Sequence, residues 1–249
     1  MQLNFPINKL NIAQIFCLLF FISLFFPIRY VFFTNTTLAT AIYSDFTSIS
    51  LYLSDILLFF TVLFTFSPRG VKLLPIITRH LPLVILVIWL ILVSFFQFRS
   101  FSSLNWWFLA KFLEMIVAYG TISYLFQKTD IKSLFLRIFV FFSTLESILS
   151  VYQFVQQKSL GFGLNRLGEQ ILDPSMQGLA KIVSGGTTFI RGYGTFPHPN
   201  MLSAFLVVGI LISLYLLLNS FTQRDKLVYS AAIFINCLGL TVTYSRAGY

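Results

Sequence analysis

The sequence predicts an all-α, polytopic helical membrane protein, and three observations carry that prediction. Hydrophobic residues make up 57% of the chain and charged residues 10%, the apolar residues fall in runs of helix-spanning length, and Lys and Arg gather in the connections between runs. A soluble domain needs about 25% charged residues to solvate its surface, so composition excludes a water-soluble enzyme of ordinary design. The net charge of +9 sits in short connections, which is the pattern of a membrane surface and not of a nucleic-acid face.

A spanning helix needs about 20 predominantly apolar residues, because every backbone amide in lipid must be satisfied within the segment. Seven runs qualify, at about 11–33, 49–66, 81–98, 106–126, 134–155, 199–218 and 227–244. Pro27 is expected to kink the first. Ala39-Thr40-Ala41 has the form of a signal cleavage site, but the preceding run of 23 residues is too long for a signal core, so an uncleaved helix is expected. The triplet Asn35-Thr36-Thr37 is a glycosylation sequon of low specificity. Cys17 and Cys237 lie inside apolar runs and read as small core residues, with no disulfide or metal-ligand spacing.

Alternation places Lys9, Arg69, Lys72, Arg79, Lys128, Lys132, Arg224 and Lys226 on one side, against Arg29 and Arg99 in the short connections opposite. Eight against two puts the first group, and the N-terminus, in the cytoplasm. The segment of about 156–198 then faces outward and holds 8 of the 13 glycines, together with Lys158, Arg166, Glu169, Asp173, Lys181 and Arg191. Segments of this length in a compact domain are functional or disordered, which makes it the first place to seek chemistry. The whole chain, 1–249, reads as one membrane-embedded domain. It stops just after its last apolar run, and truncation of a longer bundle is expected.

Charges at bilayer depth are costly and turn toward the bundle interior. Asp55 lies in the second run, Lys111 and Glu114 in the fourth and Glu146 in the fifth. Lys111 and Glu114, three residues apart, share a helix face and are expected to pair, while Asp55 could cap, pair or position an arginine. Ser143, Glu146, Ser147, Ser150, Gln153 and Gln157 form one polar stripe. Such a stripe is either interhelical hydrogen bonding or the wall of a cavity.

The most specific stretch runs from Arg191 through Gly192, Tyr193, Gly194, Thr195, Phe196, Pro197, His198 and Pro199 to Asn200, directly into an apolar run. Gly192 and Gly194 allow a turn and close backbone approach. Pro197 and Pro199 stiffen it, and Pro199 suits a first helical turn. The helix start is expected to present free N–H groups and positive dipole to an anion, with Arg191 adding a planar fork matched to phosphate oxygens. Arg246 leaves the seventh run on the same side; alone, either arginine could simply snorkel, but together with the turn they favour an anion site. His198 is the one proton-transfer candidate, although substrate contact or fixing of the turn suits it better. It has no partner at metal-ligand spacing, so neither metal nor cofactor is expected.

At this point the chain resembles the O-antigen ligase family, within the broader group of bacterial polysaccharide ligases and polymerases. Ile49 to Leu58, containing Ser54-Asp55, looks like the family's early Ser-Asp helix, and Ser150-Val151-Tyr152-Gln153-Phe154 resembles the end of a middle helix. Arg191 to Asn200 resembles the Gly-Thr-Phe-x-His-Pro-Asn turn, and Thr243 to Gly248, with Ser245-Arg246, is similar to the Ser-Arg-Gly/Ala motif one helix later. The last two, in order, are the specific signals.

The resemblance implies a membrane glycosyltransferase of roughly a dozen helices. It would pass a glycan from a polyprenyl diphosphate carrier to a lipid or protein acceptor at the outer face of the bacterial inner membrane. Arg191 and Arg246 would hold the diphosphate, Thr195 and Ser245 would lie with them in the substrate site, and His198 and Asn200 would shape the pocket floor. The family's large outer loop, with further arginines and a proposed base, would lie downstream. Alternatives are a polymerase or protein-glycosylating enzyme with the same motifs, a flippase for lipid-linked sugar, or a non-catalytic membrane subunit; no internal repeat of the transporter type is present.

Overall fold

The computed structural model describes residues 10–26, 28–32, 49–66, 85, 88–89, 91–92, 103–128, 131–161, 168–176, 178–246 and 248. Pro27, the sequon, Ala39-Thr40-Ala41, most of the third apolar run and the basic connection at 67–80 lie outside them. Among the described residues the chain is a helical membrane protein. Four helices are long and apolar enough to cross a bilayer: Trp106–Gln127, Lys132–Gln156, Pro199–Leu218 and Gln223–Thr243. Phe234, Leu227 and Leu218 project outward from two of them, as lipid-facing side chains do.

The expected seven spans and purely helical fold are corrected in three places. The first run gives only α1 (Ile12–Ser23, 12 residues) and the second only α2 (Leu53–Phe66, 14 residues). At about 1.5 Å per residue these reach roughly 18 and 21 Å, short of a hydrocarbon core of about 30 Å. Residues once expected in those helices form β1 (Arg29–Phe32) and β2 (Ile49–Tyr52), an antiparallel pair. The third correction is β3 (Lys181–Ser184) paired with β4 (Thr187–Ile190) across Gly185-Gly186. Both glycines have positive φ, the conformation a two-residue hairpin turn demands.

The chain packs as two compact units. The first comprises Met1–Phe21 and Arg29–Ile131. Within it α1 starts in a reciprocal cap: Asn11 N–H donates to Gln14 Oε1 at 2.8 Å and Gln14 N–H to Asn11 Oδ1 at 2.9 Å. Its Phe16 ring lies 5.3 Å from Phe60 and 5.1 Å from Phe64 of α2. Asp55 opens α2 by accepting from Tyr52 N–H at 3.0 Å, and also pairs with Lys111 of α3 (Ser103–Lys128). Lys111 reaches Glu114 Oε2 at 2.8 Å and lies over the Trp107 and Tyr52 rings at 4.7 and 5.2 Å. The expected Lys111–Glu114 pair is thus a triad with Asp55.

The second unit comprises Ile22–Ile28 and Lys132–Tyr249. Its frame is an antiparallel bundle of α4 (Lys132–Gln156), α5 (Pro199–Leu218) and α6 (Gln223–Thr243). Small residues set the closeness of approach. A Cβ on Gly209 would fall 2.7 Å from Ser143 Cβ, and one on Gly239 2.6 Å from Ser147 Cβ. Buried Asn236 of α6 ties both serines: Ser147 Oγ donates to its Oδ1 at 2.8 Å, and its Nδ2 donates to Ser143 Oγ at 3.2 Å. Interhelical hydrogen bonding therefore accounts for this half of the polar stripe.

Candidate functional site

The other half of the stripe builds a turn at the end of the bundle where α4 ends, α5 begins and α6 ends. Gln153 Oε1 accepts from Gly194 N–H at 2.8 Å and Tyr193 N–H at 3.2 Å, while its Nε2 donates to Gly194 O at 3.0 Å. Two turns earlier, Glu146 Oε2 accepts from Thr195 N–H and Oε1 from Thr195 Oγ, both at 2.8 Å. Gly194 sits at φ +60° against the Glu146 carboxylate, so a side chain there would collide with the group that holds the turn. Gly192 N–H donates to Val242 O at 2.9 Å, with Val242 and Ser150 lying where a Cβ would go. Both turn glycines are required by contact.

Three groups to which the sequence assigned no individual role complete the scaffold. Glu169 is buried and accepts from Gln153 Nε2 at 3.1 Å, Leu160 N–H at 2.5 Å and Gly161 N–H at 3.0 Å. Gln157 pairs with the backbone of Ile190 in both directions, at 2.6 and 3.2 Å. Tyr193 is buried, and its phenolic oxygen accepts from Ala180 N–H at 2.5 Å. No periodicity marks a lone loop carboxylate such as Glu169, whereas Asn236, a single amide within an apolar span, carried a legible signal.

Arg191 joins two helix ends. Its Nε donates to Thr243 O at 2.5 Å, at the C-terminus of α6, and its Nη2 donates to Asn200 Oδ1 at 2.7 Å, in the first turn of α5. A cation at a helix C-terminus also meets the negative end of the dipole. Since guanidinium only donates, the atom of Asn200 that it meets is the carbonyl oxygen, which leaves the Asn200 NH2 directed elsewhere.

The start of α5 differs from expectation. Pro199 has no N–H. Asn200 N–H donates to His198 Nδ1 at 3.1 Å, and Met201 and Leu202 N–H both point at His198 O, at 3.0 and 3.3 Å. The free N–H groups anticipated for an anion are thus occupied, because His198 caps the helix with its own ring and carbonyl. Its ring centroid lies 6.4 Å from that of Tyr193, at 63°. Burial, together with the nearby Arg191 guanidinium, holds its imidazole below the usual histidine value.

Beyond α6 the chain turns through Tyr244, at φ +46°. Ser245 follows, 1% exposed, with an Oγ that has no hydrogen-bond partner among the described residues. Arg246 is exposed, its Cα within about 11 Å of that of Thr243 by chain length alone. The second unit thus brings together Arg191, His198, Asn200 and Thr195, with Thr195 buried on the Glu146 carboxylate, and Ser245 and Arg246 follow the α6 end that Arg191 holds. Asp55, Lys111 and Glu114 belong to the first unit. Among the described residues no group of three or more His, Cys, Asp or Glu side chains is placed to hold a metal ion. Compared with protein-family models, curated proteins and solved structures, the chain matches none.

Proposed function

We propose that the chain acts in transfer of a glycan from a polyprenyl diphosphate carrier to a lipid or protein acceptor at the outer face of the bacterial inner membrane, in the manner of the O-antigen ligases it resembles. One observation carries this reading: among the described residues, the polar side-chain groups left unspent at the α5 start and in the turn after α6 are chiefly donors. His198 Nε2, the Asn200 NH2 and the exposed Arg246 guanidinium all donate, and Arg191 adds positive charge. Sugar hydroxyls both donate and accept, so a sugar site would offer acceptors as well. A face rich in donors matches phosphate oxygens. The excess of basic residues in the opposite connections supports an outward orientation of this end.

A lipid diphosphate is already a good leaving group. Cations and donors aimed at it would stabilise the negative charge that grows as the glycosidic bond breaks. The buried Glu146, Gln153 and Glu169 brace the turn, so that the donors are fixed before substrate arrives.

The test is to express Arg191→Ala, Arg246→Ala and His198→Ala from the native locus and follow surface glycan and polyprenyl-diphosphate-linked glycan at matched protein level. Loss of surface glycan with accumulation of the lipid-linked donor outside the inner membrane supports transfer. Donor retained on the cytoplasmic side would replace the reading with a flippase, and wild-type behaviour in all three variants would remove the site.

A further inference from the structure

We infer that His198 works in this site as a neutral imidazole locked with its proton on Nε2, donating a hydrogen bond to a phosphate oxygen and taking no part in deprotonating the acceptor hydroxyl. The phosphate contact rests on the diphosphate reading above; the tautomer rests on the fold alone.

Asn200 N–H lies 3.1 Å from His198 Nδ1. A backbone N–H can only donate, so Nδ1 must hold its lone pair toward the helix, and the neutral ring must carry its proton on Nε2. The backbone of His198 is extended at φ −152° and ψ 141°, the conformation of a residue that caps without joining the helix. Tyr193 lies edge-on at 6.4 Å, buried and anchored through its own hydroxyl to Ala180.

A base at Nε2 would need the opposite tautomer. That places an Nδ1–H against the Asn200 N–H, two donors face to face, and leaves that N–H without its acceptor. A base at Nδ1 would have to use a lone pair already committed to the backbone. A doubly protonated ring also loses the cap and gains a positive charge beside Arg191. The state compatible with all three neighbours is neutral, with Nε2–H unspent among the described residues. Arg191 fixes the Asn200 amide in the same way, by occupying its oxygen and leaving NH2. Two residues of one helix start therefore offer two oriented donors, suited to two oxygens of one phosphate.

Two variants separate donor from base, since both Asn and Asp cap helices well. His198→Asn keeps a cap and a donor but cannot act as a base. His198→Asp keeps a cap and could act as a base, but offers a carboxylate where a donor is required. Purified full-length protein in nanodiscs would be assayed for binding of undecaprenyl diphosphate and for glycan transfer, with thermal unfolding recorded alongside. His198→Asn is expected to retain both within about tenfold, the worth of one imperfect hydrogen bond, and His198→Asp to fall on the order of 100-fold. Nitrogen-15 NMR of histidine-labelled protein, in a His80→Gln background because the chain has 2 histidines, is expected to show an unprotonated Nδ1 and a protonated Nε2. An Nδ1-protonated ring, or an Asp variant more active than the Asn variant, would overturn the inference with the diphosphate reading intact. If wild-type protein binds no undecaprenyl diphosphate while the Nε2–H tautomer is seen, the phosphate contact falls together with that reading and the tautomer stands.

Discussion

The two units treat their charges in opposite ways. In the first, Lys111 is shared by Asp55 and Glu114, lies over two aromatic rings, and Asp55 also caps α2. In the second, buried Glu146 and Gln153 spend their capacity on the backbone N–H groups of Tyr193, Gly194 and Thr195, Glu169 accepts from Gln153 and from Leu160 and Gly161 N–H, and the side chains the turn presents keep donors in hand. A closed network is sufficient for burial, because charges in a low-dielectric setting must be paired. A network that ends in part-exposed donors can take water or a ligand as its further partner. On the diphosphate reading proposed above, the first cluster is structural and the second is the place for the ligand.

The largest expected effect lies in the helix contacts that support the second unit. Gly239→Leu would force a side chain into Ser147, where even a Cβ stands 2.6 Å from another Cβ. It should cost about 3 kcal/mol or more and appear as loss of folded protein in detergent thermal unfolding. Next is Lys111→Met, which leaves Asp55 and Glu114 facing each other; with these side chains 14 to 27% exposed, a loss of about 2 kcal/mol is expected. Adding Asp55→Asn and Glu114→Gln should restore most of that stability, and transfer with it. Persistent loss of transfer in the stable triple variant would break the distinction between the units.

Arg191→Lys sharpens it from the other side. Lysine keeps the charge but cannot hold Thr243 O and Asn200 Oδ1 with one planar fork. A stability loss of about 1.5 kcal/mol is expected, with binding of polyprenyl diphosphate reduced on the order of tenfold. The smallest effect is a pH dependence of the α5 cap. Because the folded His198 pKa is lowered, by burial and then by Arg191, the folded state binds fewer protons than the unfolded one. The contribution of the cap is therefore fully present above the unfolded value of about 6.5 and is lost as pH falls through the lowered folded value. The expected loss is about 1 kcal/mol, read as a decline in melting temperature on acidification that His198→Asn removes.

Much of this organisation was legible in the amino-acid order. Apolar runs gave the four long helices, because lipid burial demands length and composition that no other pattern supplies. The turn from Arg191 to Asn200 declared itself through its glycines and prolines. The hairpin at Gly185-Gly186 was legible too, since a Gly-Gly pair between two short runs containing β-branched residues, Ile182-Val183 and Thr187-Thr188, is a hairpin signal, yet inside a glycine-rich segment it read as loop. The shortness of α1 and α2 was hidden because an apolar run shows where a helix can exist but not where a strand pair such as Arg29–Phe32 with Ile49–Tyr52 replaces it. The closure of the α5 start was hidden for a different reason. Histidine is not among the preferred capping residues, and only geometry reveals that its ring takes the N–H an anion would have taken.

If the unspent donors of the second unit hold a diphosphate, as proposed, Arg246 is the residue that shows it most directly, because its side chain is exposed and makes no described hydrogen bond or ion pair. Binding of undecaprenyl diphosphate to full-length protein in nanodiscs should weaken at least about tenfold in Arg246→Ala, the worth of one charge-assisted contact, with stability unchanged to within about 0.5 kcal/mol. Equal binding by the variant and the wild type, at equal stability, would contradict the account.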